Sequence, residues 1–473
     1  MYKAVIGLEV HCELKSNSKN FSSAKNVYSS YPNNNVSPVD MGFPGILPVA
    51  NKEAFKKSLK MALAFHCQTP DIVTFDRKNY FYPDLPKGYQ ITQMRKPVGI
   101  NGYVMINVDG VDKKVLIHDT HLEEDTASLD HFNGYSLIDY NRAGVPLLET
   151  VTEPCLHSSK EAVAFLETLR SMFLYCDTSE ARSDQGQIRC DVNVSLMEEN
   201  ATELGTRVEM KNINSFNNVK EAIECEIRRQ TEILENGGTI LQETRRYDDT
   251  DMCTYPMRSK EDAIDYKYFV EPNIPPIKIS DEWIEEIKSE IPMLPYERIS
   301  LYMNEYGLSR YDATILVKEK EIAEYFEETI KEGADAKLSS NWITSIILGH
   351  LNKMEVKITE IFITPKMLKD LIEMVSNGTI SSKQGKEVLY KALEEEKDPK
   401  VIVETSGIKQ IGDDDEIKKV VDEVFSEHPE AKEQYKNGRT NIVDFLVGQV
   451  MKKTRGRANP AITMKLIKEE MER

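Results

Sequence analysis

The stretch Ile6–Glu13 (IGLEVHCE) alternates apolar and polar side chains with a period of two, the pattern of a half-buried β-strand. Its apolar register contains Ile6, Leu8, Val10 and Cys12, and its polar register contains Glu9, His11 and Glu13. The same alternation returns in 187–195 (QIRCDVNVS) and 207–211 (RVEMK). If the three stretches share a sheet, one face forms core and the other presents carboxylates, a histidine and basic side chains. That face predicts a catalytic surface for a divalent cation and an anion.

Length and composition limit the class of protein. At 473 residues the chain exceeds a single hydrophobic core, so two or three domains are expected. Its net charge of -18 argues against non-specific coating of nucleic acid, and leaves 452–457 (KKTRGR) as a local basic candidate. The seven cysteines include no Cys-x-x-Cys pair, which argues against a disulfide framework and a structural zinc site. No run of about 18 apolar residues is present, so we predict no membrane span or signal peptide and expect a cytoplasmic protein.

The chain divides into three predicted parts. Residues 1–292 mix strand-like alternation with a few amphipathic helices, an α+β pattern. After a proline-rich boundary the pattern becomes helical in 293–406, and 407–473 form a small helical tail. The predicted helices begin near Ser158 and Ser215 in the first part, and later occupy 311–331, 340–352, 364–377, 442–451 and 461–471.

Acidic and histidine side chains form the candidate metal site: Glu9, His11, Glu123, Glu124, Asp191 and Glu209. Oxygen ligands with an occasional imidazole suit Mg²⁺ or Mn²⁺, and phosphoryl transfer needs such a cation to neutralise developing charge. The alternative is a solvated face of an acidic protein, because charged sheet faces are commonly just exposed to water. A regular strand cannot direct Glu123 and Glu124 the same way, so only one of them is expected to coordinate metal directly.

A second constellation is the predicted rigid loop 75–90 (FDRKNYFYPDLPKGYQ). In one interpretation the loop lines a pocket or stacks on bases. In the other, its aromatic side chains cover the edge of the hydrophobic core. Arg245 and Arg258 either hold phosphates or make surface ion pairs with the abundant carboxylates. Cys12 and Cys190 fall on the apolar register, so they are predicted core residues and not nucleophiles. The sequence has no glycine-rich P-loop and no Gly-x-Ser-x-Gly elbow.

Long motifs of the chain resemble the B subunit of the tRNA-dependent amidotransferases. Together with the loop 76–90, they are 6–11 (IGLEVH), 42–51 (GFPGILPVAN), 121–125 (HLEED), 139–149 (DYNRAGVPLLE), 189–195 (RCDVNVS), 211–216 (KNINSF), 242–246 (QETRR), 447–451 (VGQVM) and 456–460 (GRANP). They occur in the order of that family and span nearly the whole chain. Chance similarity on this scale is negligible.

The resemblance implies one part of a glutamine-dependent enzyme that converts glutamate on tRNA(Gln), and often aspartate on tRNA(Asn), into the amide. ATP phosphorylates the side-chain carboxylate, and ammonia then displaces the phosphate. The ammonia comes from a separate amidase, the A subunit of the complex, and the two are bridged by a small C subunit. The resemblance also implies a cradle domain with a mainly antiparallel, glutamine synthetase-like sheet, then a helical domain and a tRNA-binding tail.

The residue roles that follow are expectations from the resemblance and from the polar register. The expected ligands of Mg²⁺ or Mn²⁺ are Glu9, His11, Glu124 and Glu209, with Glu123 and Asp191 as ligands or as neighbours of ligands. The expected contacts to the phosphates of ATP or to the substrate carboxylate are Lys78, Arg189, Arg245 and Arg258. The expected tRNA contacts are Lys452, Lys453, Arg455 and Arg457.

One departure from the family pattern bears on the site. Thr126-Ala127-Ser128 follows Asp125 where the family usually has a small residue, a glycine and a lysine, so a basic contact there is in question. Two rival functions remain at this stage. One is a carboxylate–ammonia ligase that acts on a free small acid, which would not need the basic tail. The other is a catalytically silent scaffold that positions tRNA, which would tolerate loss of His11 or Glu124.

Overall fold

The computed structural model describes residues 2–213, 215–259, 265–406, 414–436, 439, 441–454 and 458–472. It divides into two compact units, Met1–Tyr296 and Glu297–Arg473. The first contains a large sheet with helices and the second is helical, which confirms the predicted α+β class. The separate tail from residue 407 stays a prediction. Within the described ranges, no helix is both long enough and apolar enough to cross a membrane.

The first unit is built on an eight-stranded sheet. In chain order the strands of the unit are β1 (Tyr2–Glu13), β2 (Ile72–Val73), β3 (Asp76–Asn79), β4 (Tyr89–Thr92), β5 (Gly99–Val108), β6 (Val111–Glu124), β7 (Ser128–Phe132), β8 (Tyr135–Asp139), β9 (Pro146–Thr152), β10 (Ile188–Glu198), β11 (Val208–Ile213), β12 (Glu243–Asp248), β13 (Cys253–Ser259), β14 (Phe269–Val270) and β15 (Ile277–Lys278). The large sheet has the order β13-β12-β11-β10-β1-β9-β6-β5. Its neighbours pair antiparallel, except the parallel pair β11 and β12.

Helices cover the apolar face of this sheet. They are α1 (Lys52–Ala64), α2 (Ser159–Tyr175), α3 (Phe216–Glu235) and α4 (Asp281–Ser289). The side chains of Ser158 and Ser215 cap α2 and α3 by accepting hydrogen bonds from main-chain N–H groups, as predicted. One hydrophobic core joins the helices to the apolar register of β1 and includes Ile6, Leu8, Val10, Cys12, Phe165, Leu169, Cys190 and Ile223. The two cysteines are therefore core residues, as predicted.

The second unit contains short helices around two further hydrophobic clusters. The helices, the first of which begins at the end of the first unit, are α5 (Pro295–Asn304), α6 (Arg310–Leu316), α7 (Lys320–Lys331), α8 (Ala336–Trp342), α9 (Leu348–Met354), α10 (Pro365–Ser376), α11 (Ser382–Glu395), α12 (Pro399–Ser406), α13 (Asp414–Glu427), α14 (Ala431–Lys436), α15 (Ile442–Lys453) and α16 (Pro460–Glu472). The predicted helix from Thr364 and the predicted terminal pair are confirmed.

Two helix predictions in this unit need correction. The single helix predicted over 311–331 is two helices, because the buried positions jump five residues from Val317 to Ile322 and leave the helical spacing. The helix predicted over 340–352 begins earlier, at the cap Asp335, whose side chain accepts the N–H of Leu338. A π-helical turn, Ile343–Ile347, joins α8 to α9 in that stretch.

Candidate active site

The polar face of the large sheet brings together side chains from four adjacent strands. In the strand register, His11 on β1 lies opposite Glu149 on β9 and opposite Arg189 on β10. Glu149 in turn lies opposite His121 on β6. The period-two alternation places Glu123 on the same face as His121, so the row continues toward the end of β6.

His11, Glu123 and Glu149 form a compact set, here termed the first acidic group. The Nε2 atom of His11 lies 3.2 Å from Oε2 of Glu149 and 3.8 Å from Oε1 of Glu123. One ligand atom from each residue lies within 4.8 Å of the others. Two carboxylates and one imidazole fit Mg²⁺ or Mn²⁺, which prefer oxygen ligands. His121 stands beside the set, with Nε2 3.2 Å from Glu149 and Nδ1 2.7 Å from Asp119.

The electrostatics of the first acidic group are dominated by burial and by opposed charges. Burial disfavours ionisation of Glu149, but the charges of His121 and His11 outweigh it and hold the pKa of Glu149 well below its usual range. Burial, together with the charge on Glu149, raises the pKa of Glu123. Two carboxylates and two imidazoles thus balance one another, and a metal ion at this group would have to displace the imidazole protons.

A second acidic group, Glu9, Asp191 and Glu209, lies further along the same face on β1, β10 and β11. Glu9 pairs with Asp191 in the strand register. Unlike the first group, this one contains an internal cation, because Lys211 Nζ lies 2.7 Å from Asp191 and 3.1 Å from Glu209. Burial opposes ionisation of Glu209, but Lys211 outweighs it and lowers the pKa. Asn193 donates a hydrogen bond to Glu9 at 3.0 Å.

Glu124 is not brought into either group. Its carboxylate instead forms an ion pair with Lys87 and accepts the main-chain N–H of Ile91 at 2.9 Å. Glu123 and Glu124 point to opposite faces of β6, as the alternation of a strand predicts. Glu123 is the one that faces His11. The structure does not bring the Glu124 carboxylate together with His11, and its role as a metal ligand stays a prediction.

A polar pocket of about 780 Å³ borders the first acidic group. Its lining includes His11, Lys78, Tyr80, Glu123, Arg189 and Asp191. Within the described part of the chain, Lys78 has no carboxylate within 4.0 Å, and its Nζ lies 5.1 Å from the ring centre of Tyr266. The Nη2 atom of Arg189 lies 2.7 Å from Asp125. The structure thus places these two predicted anion contacts, Lys78 and Arg189, at the pocket.

The loop 75–90 combines both of its predicted arrangements. Phe75 is buried in the core, whereas Tyr80 lines the pocket. Gly88 has a φ of +75°, and a Cβ there would come 2.9 Å from the ring of Phe81, so this turn requires glycine. The turn at Gly88 therefore gives the loop that contains Lys78 a defined conformation.

Arg245 makes several contacts within the protein. Its side chain is buried, with Nη1 2.6 Å from Glu243 and with Nε and Nη2 donating hydrogen bonds to the side chain and carbonyl of Thr254. Each nitrogen of the guanidinium thus has a protein partner, and a cofactor contact at Arg245 stays a prediction. The side chain of Arg258 lies outside the described residues.

Two of the predicted tRNA contacts, Lys452 and Lys453, lie at the end of α15. Lys452 is exposed, and Lys453 makes ion pairs with Glu427 at 2.7 Å and Glu423 at 3.3 Å. Arg455 and Arg457 lie outside the described residues. Exposed ion pairs of this kind contribute little, so Lys453 is still available to an anionic partner.

Sequence reasoning missed Glu149, His121, Asp119 and Lys211. The alternation His121-Leu122-Glu123 carried the signal for His121, because it shares a register with Glu123. Glu149 was hidden by the apolar run Pro146-Leu147-Leu148, which masks the period of β9. Lys211 shares the polar register of β11 with Glu209 and could have been read in the same way.

Comparison with known proteins first defines a class. Residues 4–285 match the family described as the GatB/GatE catalytic domain, and residues 324–471 match the family described as the GatB domain. The particular family follows from relatives named as the B subunit of aspartyl/glutamyl-tRNA(Asn/Gln) amidotransferase. The protein of Halalkalibacterium halodurans is 47% identical over 99% of both chains. That of Shouchella clausii is 46% identical over 100% of this chain and 99% of its own, and that of Thermoanaerobacter pseudethanolicus is 46% identical over 99% of both. The chain belongs to this B-subunit family, and the predicted resemblance is confirmed.

Proposed function

We propose that this chain is the subunit that activates the side-chain carboxylate of glutamate on tRNA(Gln), of aspartate on tRNA(Asn), or of both. ATP phosphorylates the carboxylate with the help of Mg²⁺ or Mn²⁺, and ammonia then displaces the phosphate to give the amide. The ammonia comes from a separate amidase, the A subunit, which hydrolyses glutamine, and the heterotrimer also contains a small C subunit.

One observation carries the proposal. Two groups of carboxylates, one of them with an imidazole, lie on a single sheet face beside a pocket that also contains Lys78 and Arg189. A carboxylate is a poor electrophile, and phosphorylation turns one of its oxygens into a good leaving group. A cation held by the two acidic groups would supply the charge that stabilises the transferring phosphoryl group.

The residues of the chain have distinct roles in this proposal. His11, Glu123 and Glu149 would hold one cation, and Glu9, Asp191 and Glu209 would hold another. Asp119 orients His121 through the 2.7 Å contact to Nδ1, which fixes the ring against Glu149. Lys78 and Arg189 bind the substrate carboxylate or phosphate oxygens at the pocket.

The tRNA is expected to touch a limited part of the chain. The net charge of -18 disfavours broad contact with a polyanion. The basic tail residues Lys452, Lys453, Arg455 and Arg457 supply local phosphate contacts, so recognition rests on shape and backbone more than on base reading.

The central test uses the reconstituted complex with ATP, ammonium chloride and misacylated tRNA. His11→Ala and Glu149→Gln should each reduce amide formation by about a thousandfold, because catalytic cations supply several kcal/mol of charge stabilisation. His118→Ala and Glu153→Gln are matched controls. These two residues pair with each other, with His118 Nδ1 2.8 Å from Glu153 Oε1, and both side chains are exposed and do not line the pocket. Unchanged amidation in the His11 and Glu149 variants would favour the scaffold rival.

A second experiment separates the tRNA enzyme from a ligase for a free acid. Replacing Lys452, Lys453, Arg455 and Arg457 together by alanine should weaken tRNA binding at low salt and reduce its salt dependence, because phosphate contacts release counterions. Replacing Lys465 and Lys468 on α16 is the control for removal of charge from the same part of the chain. Amidation of free glutamate at the same rate as glutamyl-tRNA would contradict the proposal.

A further inference from the structure

Two cysteines of the first unit meet on neighbouring elements, outside the catalytic pocket. Cys225 lies on α3, Cys253 is the first residue of β13, and the helix packs against the strand. The two thiols are close enough to share a hydrogen bond. Because the cysteines are far apart in the sequence and in different elements, it is the fold that brings them together.

The residues that follow the two cysteines hold this arrangement in place. Thr254 Oγ1 donates a hydrogen bond to Glu226 Oε2 at 3.2 Å, and both residues are buried. Tyr247, which lies opposite Thr254 in the register of β12 and β13, faces both thiols. Burial raises the pKa of Tyr247, and negative charge on nearby groups, both thiolates among them, raises it further. The backbone positions of both cysteines are therefore set by buried contacts of their neighbours.

Exposure distinguishes this pair of thiols from the remaining cysteines. All seven cysteines lie in the described part of the chain, and of these Cys253 is exposed and Cys225 is half-buried. The buried cysteines are Cys12, Cys67, Cys176 and Cys190. Cys155 is half-buried, and its sulfur accepts the main-chain N–H of Leu116 at 3.4 Å. A reagent in solution thus reaches Cys253 first and finds the thiol of Cys225 beside it.

Two other roles for the pair fit the structure less well. A cysteine can serve as a small apolar side chain, but this role suits a buried position and not the exposed Cys253. A structural zinc site uses four ligands. Among the described residues, neither Cys225 nor Cys253 belongs to a group of three potential ligands close enough to share an ion. The remaining chemistry of two adjacent thiols is their oxidation to a disulfide.

The surroundings of Cys253 make its thiol a slow nucleophile. Loss of solvent around the sulfur and negative charge on Cys225 and Asp251 raise the pKa of Cys253, whereas the positive charge of Arg228 opposes the shift. Only the thiolate attacks a disulfide, so a raised pKa leaves little of the reactive form at neutral pH. Oxidation of this pair therefore needs an abundant oxidant and does not occur at trace levels of one.

We propose that Cys225 and Cys253 form a reversible disulfide by exchange with a low-molecular-weight disulfide from solution. The Cys253 thiolate attacks one sulfur of that disulfide, which gives a mixed disulfide and releases one small thiol. Cys225, once deprotonated, then attacks the Cys253 sulfur, which forms the bond between the two cysteines and releases the second small thiol. The two protein thiols are oxidised, and the small disulfide takes up their two electrons and two protons. The new bond links α3 to β13, the outermost strand of the large sheet.

The test exposes the reduced full-length chain to oxidised glutathione and maps its cysteines by mass spectrometry. The unmodified protein should lose two hydrogen atoms and yield peptides joined through Cys225 and Cys253, and dithiothreitol should reverse both changes. Cys225→Ser should stop at a mixed disulfide of glutathione with Cys253, whereas Cys253→Ser should give neither product. Cys155→Ser is the matched control, because it removes a half-buried thiol elsewhere and should form the same cross-link as the unmodified protein.

Thermal unfolding gives a second measurement. The oxidised chain should unfold about 5 °C higher than the reduced chain, because a link between residues 225 and 253 restricts the unfolded state. This shift should be absent from Cys225→Ser, and Cys225→Ala takes its place if the serine impairs folding.

Three results would overturn the inference, which does not depend on the proposed function. The first is glutathione that stays on Cys253 of the unmodified protein after exchange is complete, since Cys225 then does not reach the mixed disulfide. The second is a cross-link through a different pair of cysteines. The third is an equal rise in unfolding temperature in Cys225→Ser, which would assign the stabilisation to another site.

Discussion

Two clusters of charged side chains in the first unit resemble each other in composition but differ in how their charges are balanced. The first acidic group holds Glu123 and Glu149 against His11 and His121, with ligand atoms close enough to share one cation. The other, here termed the ionic cluster, is formed by Glu226, Arg229, Glu243, Arg245 and Thr254. In it, Arg245 Nη1 lies 2.6 Å from Glu243 and Arg229 Nη2 lies 2.6 Å from Glu226, so two full cations balance two carboxylates.

The difference separates a structural cluster from a functional one. Charges that are paired within the protein and fully hydrogen-bonded stabilise a particular packing, and no charge is left for a ligand. Carboxylates whose only internal partners are imidazoles can give up those partners to a metal, because imidazole is itself a ligand. Residue types alone do not distinguish the two cases, which is why the sequence left both a phosphate contact and an ion pair open for Arg245.

The largest expected effect is the loss of stability when the ionic cluster is broken. Glu226→Gln should lower the free energy of unfolding by about 3–5 kcal/mol, because Glu226 is buried and its removal leaves the charges of Arg229 and Arg245 to share the single carboxylate of Glu243. Urea unfolding measures this, with the exposed Glu232→Gln on the same helix as the control. A loss in unfolding free energy below about 1 kcal/mol would mean that the ionic cluster does not stabilise the fold appreciably.

The second prediction tests whether the first acidic group binds a cation. Glu149→Gln should destabilise the metal-free protein, because the charges of His11 and His121 favour the ionised carboxylate and relief of repulsion from Glu123 offsets only part of that loss. Mn²⁺ at 100 times the dissociation constant of the first acidic group should stabilise the unmodified protein by about 2.7 kcal/mol through that group, and this contribution should vanish in the variant. Thermal unfolding with and without Mn²⁺ measures both values. A Mn²⁺ shift that survives in Glu149→Gln but not in Glu153→Gln would reverse the assignment.

The sequence predicted the local features of the fold and site but not their long-range pairings. Period-two alternation was sufficient for β1 and β10, because both strands have one buried face throughout. It was also sufficient to place Cys12 and Cys190 in the core. Caps such as Ser158 are encoded within a few residues of the helix they begin, so they too were predictable.

The remaining features depend on partners far away in the chain. Glu124 is directed by Lys87, which lies 37 residues earlier in the chain, and this contact has no local signature. Glu149 joins the site only because β9 inserts between β1 and β6, an order that no alternation pattern specifies. The order of the strands in the sheet therefore determines which of the predicted carboxylates lie close together.

The second acidic group is intermediate, because it contains the internal cation Lys211. Burial opposes the charge on Lys211, but Asp191 and Glu209 raise its pKa, so the lysine stays charged and competes with a metal. Lys211→Met should raise the Mn²⁺ affinity of this group by about tenfold, the equivalent of about 1.4 kcal/mol. Mn²⁺ titration followed by electron paramagnetic resonance, in a Glu149→Gln background, isolates this group. Lys220→Met is the control because Lys220 pairs with Glu221 on α3, and weaker Mn²⁺ binding in Lys211→Met would show that the lysine supports the site instead.

The smallest expected effect concerns a paired charge directly after β14. Glu271 is buried, which opposes its ionisation, but hydrogen bonds from Arg77 and Asn273 outweigh burial and lower its pKa below the ordinary value near 4.5. A depressed pKa contributes stability that is present above the ordinary value and is lost as the pH falls through the folded value. Glu271→Gln should therefore cost about 1 kcal/mol at pH 7, and this difference should shrink below about pH 4.5. Urea unfolding of both proteins across this range measures it, with the exposed Glu290→Gln as control. If the difference in unfolding free energy grows on acidification, the ionised Glu271 carboxylate is not stabilised by its pairing with Arg77.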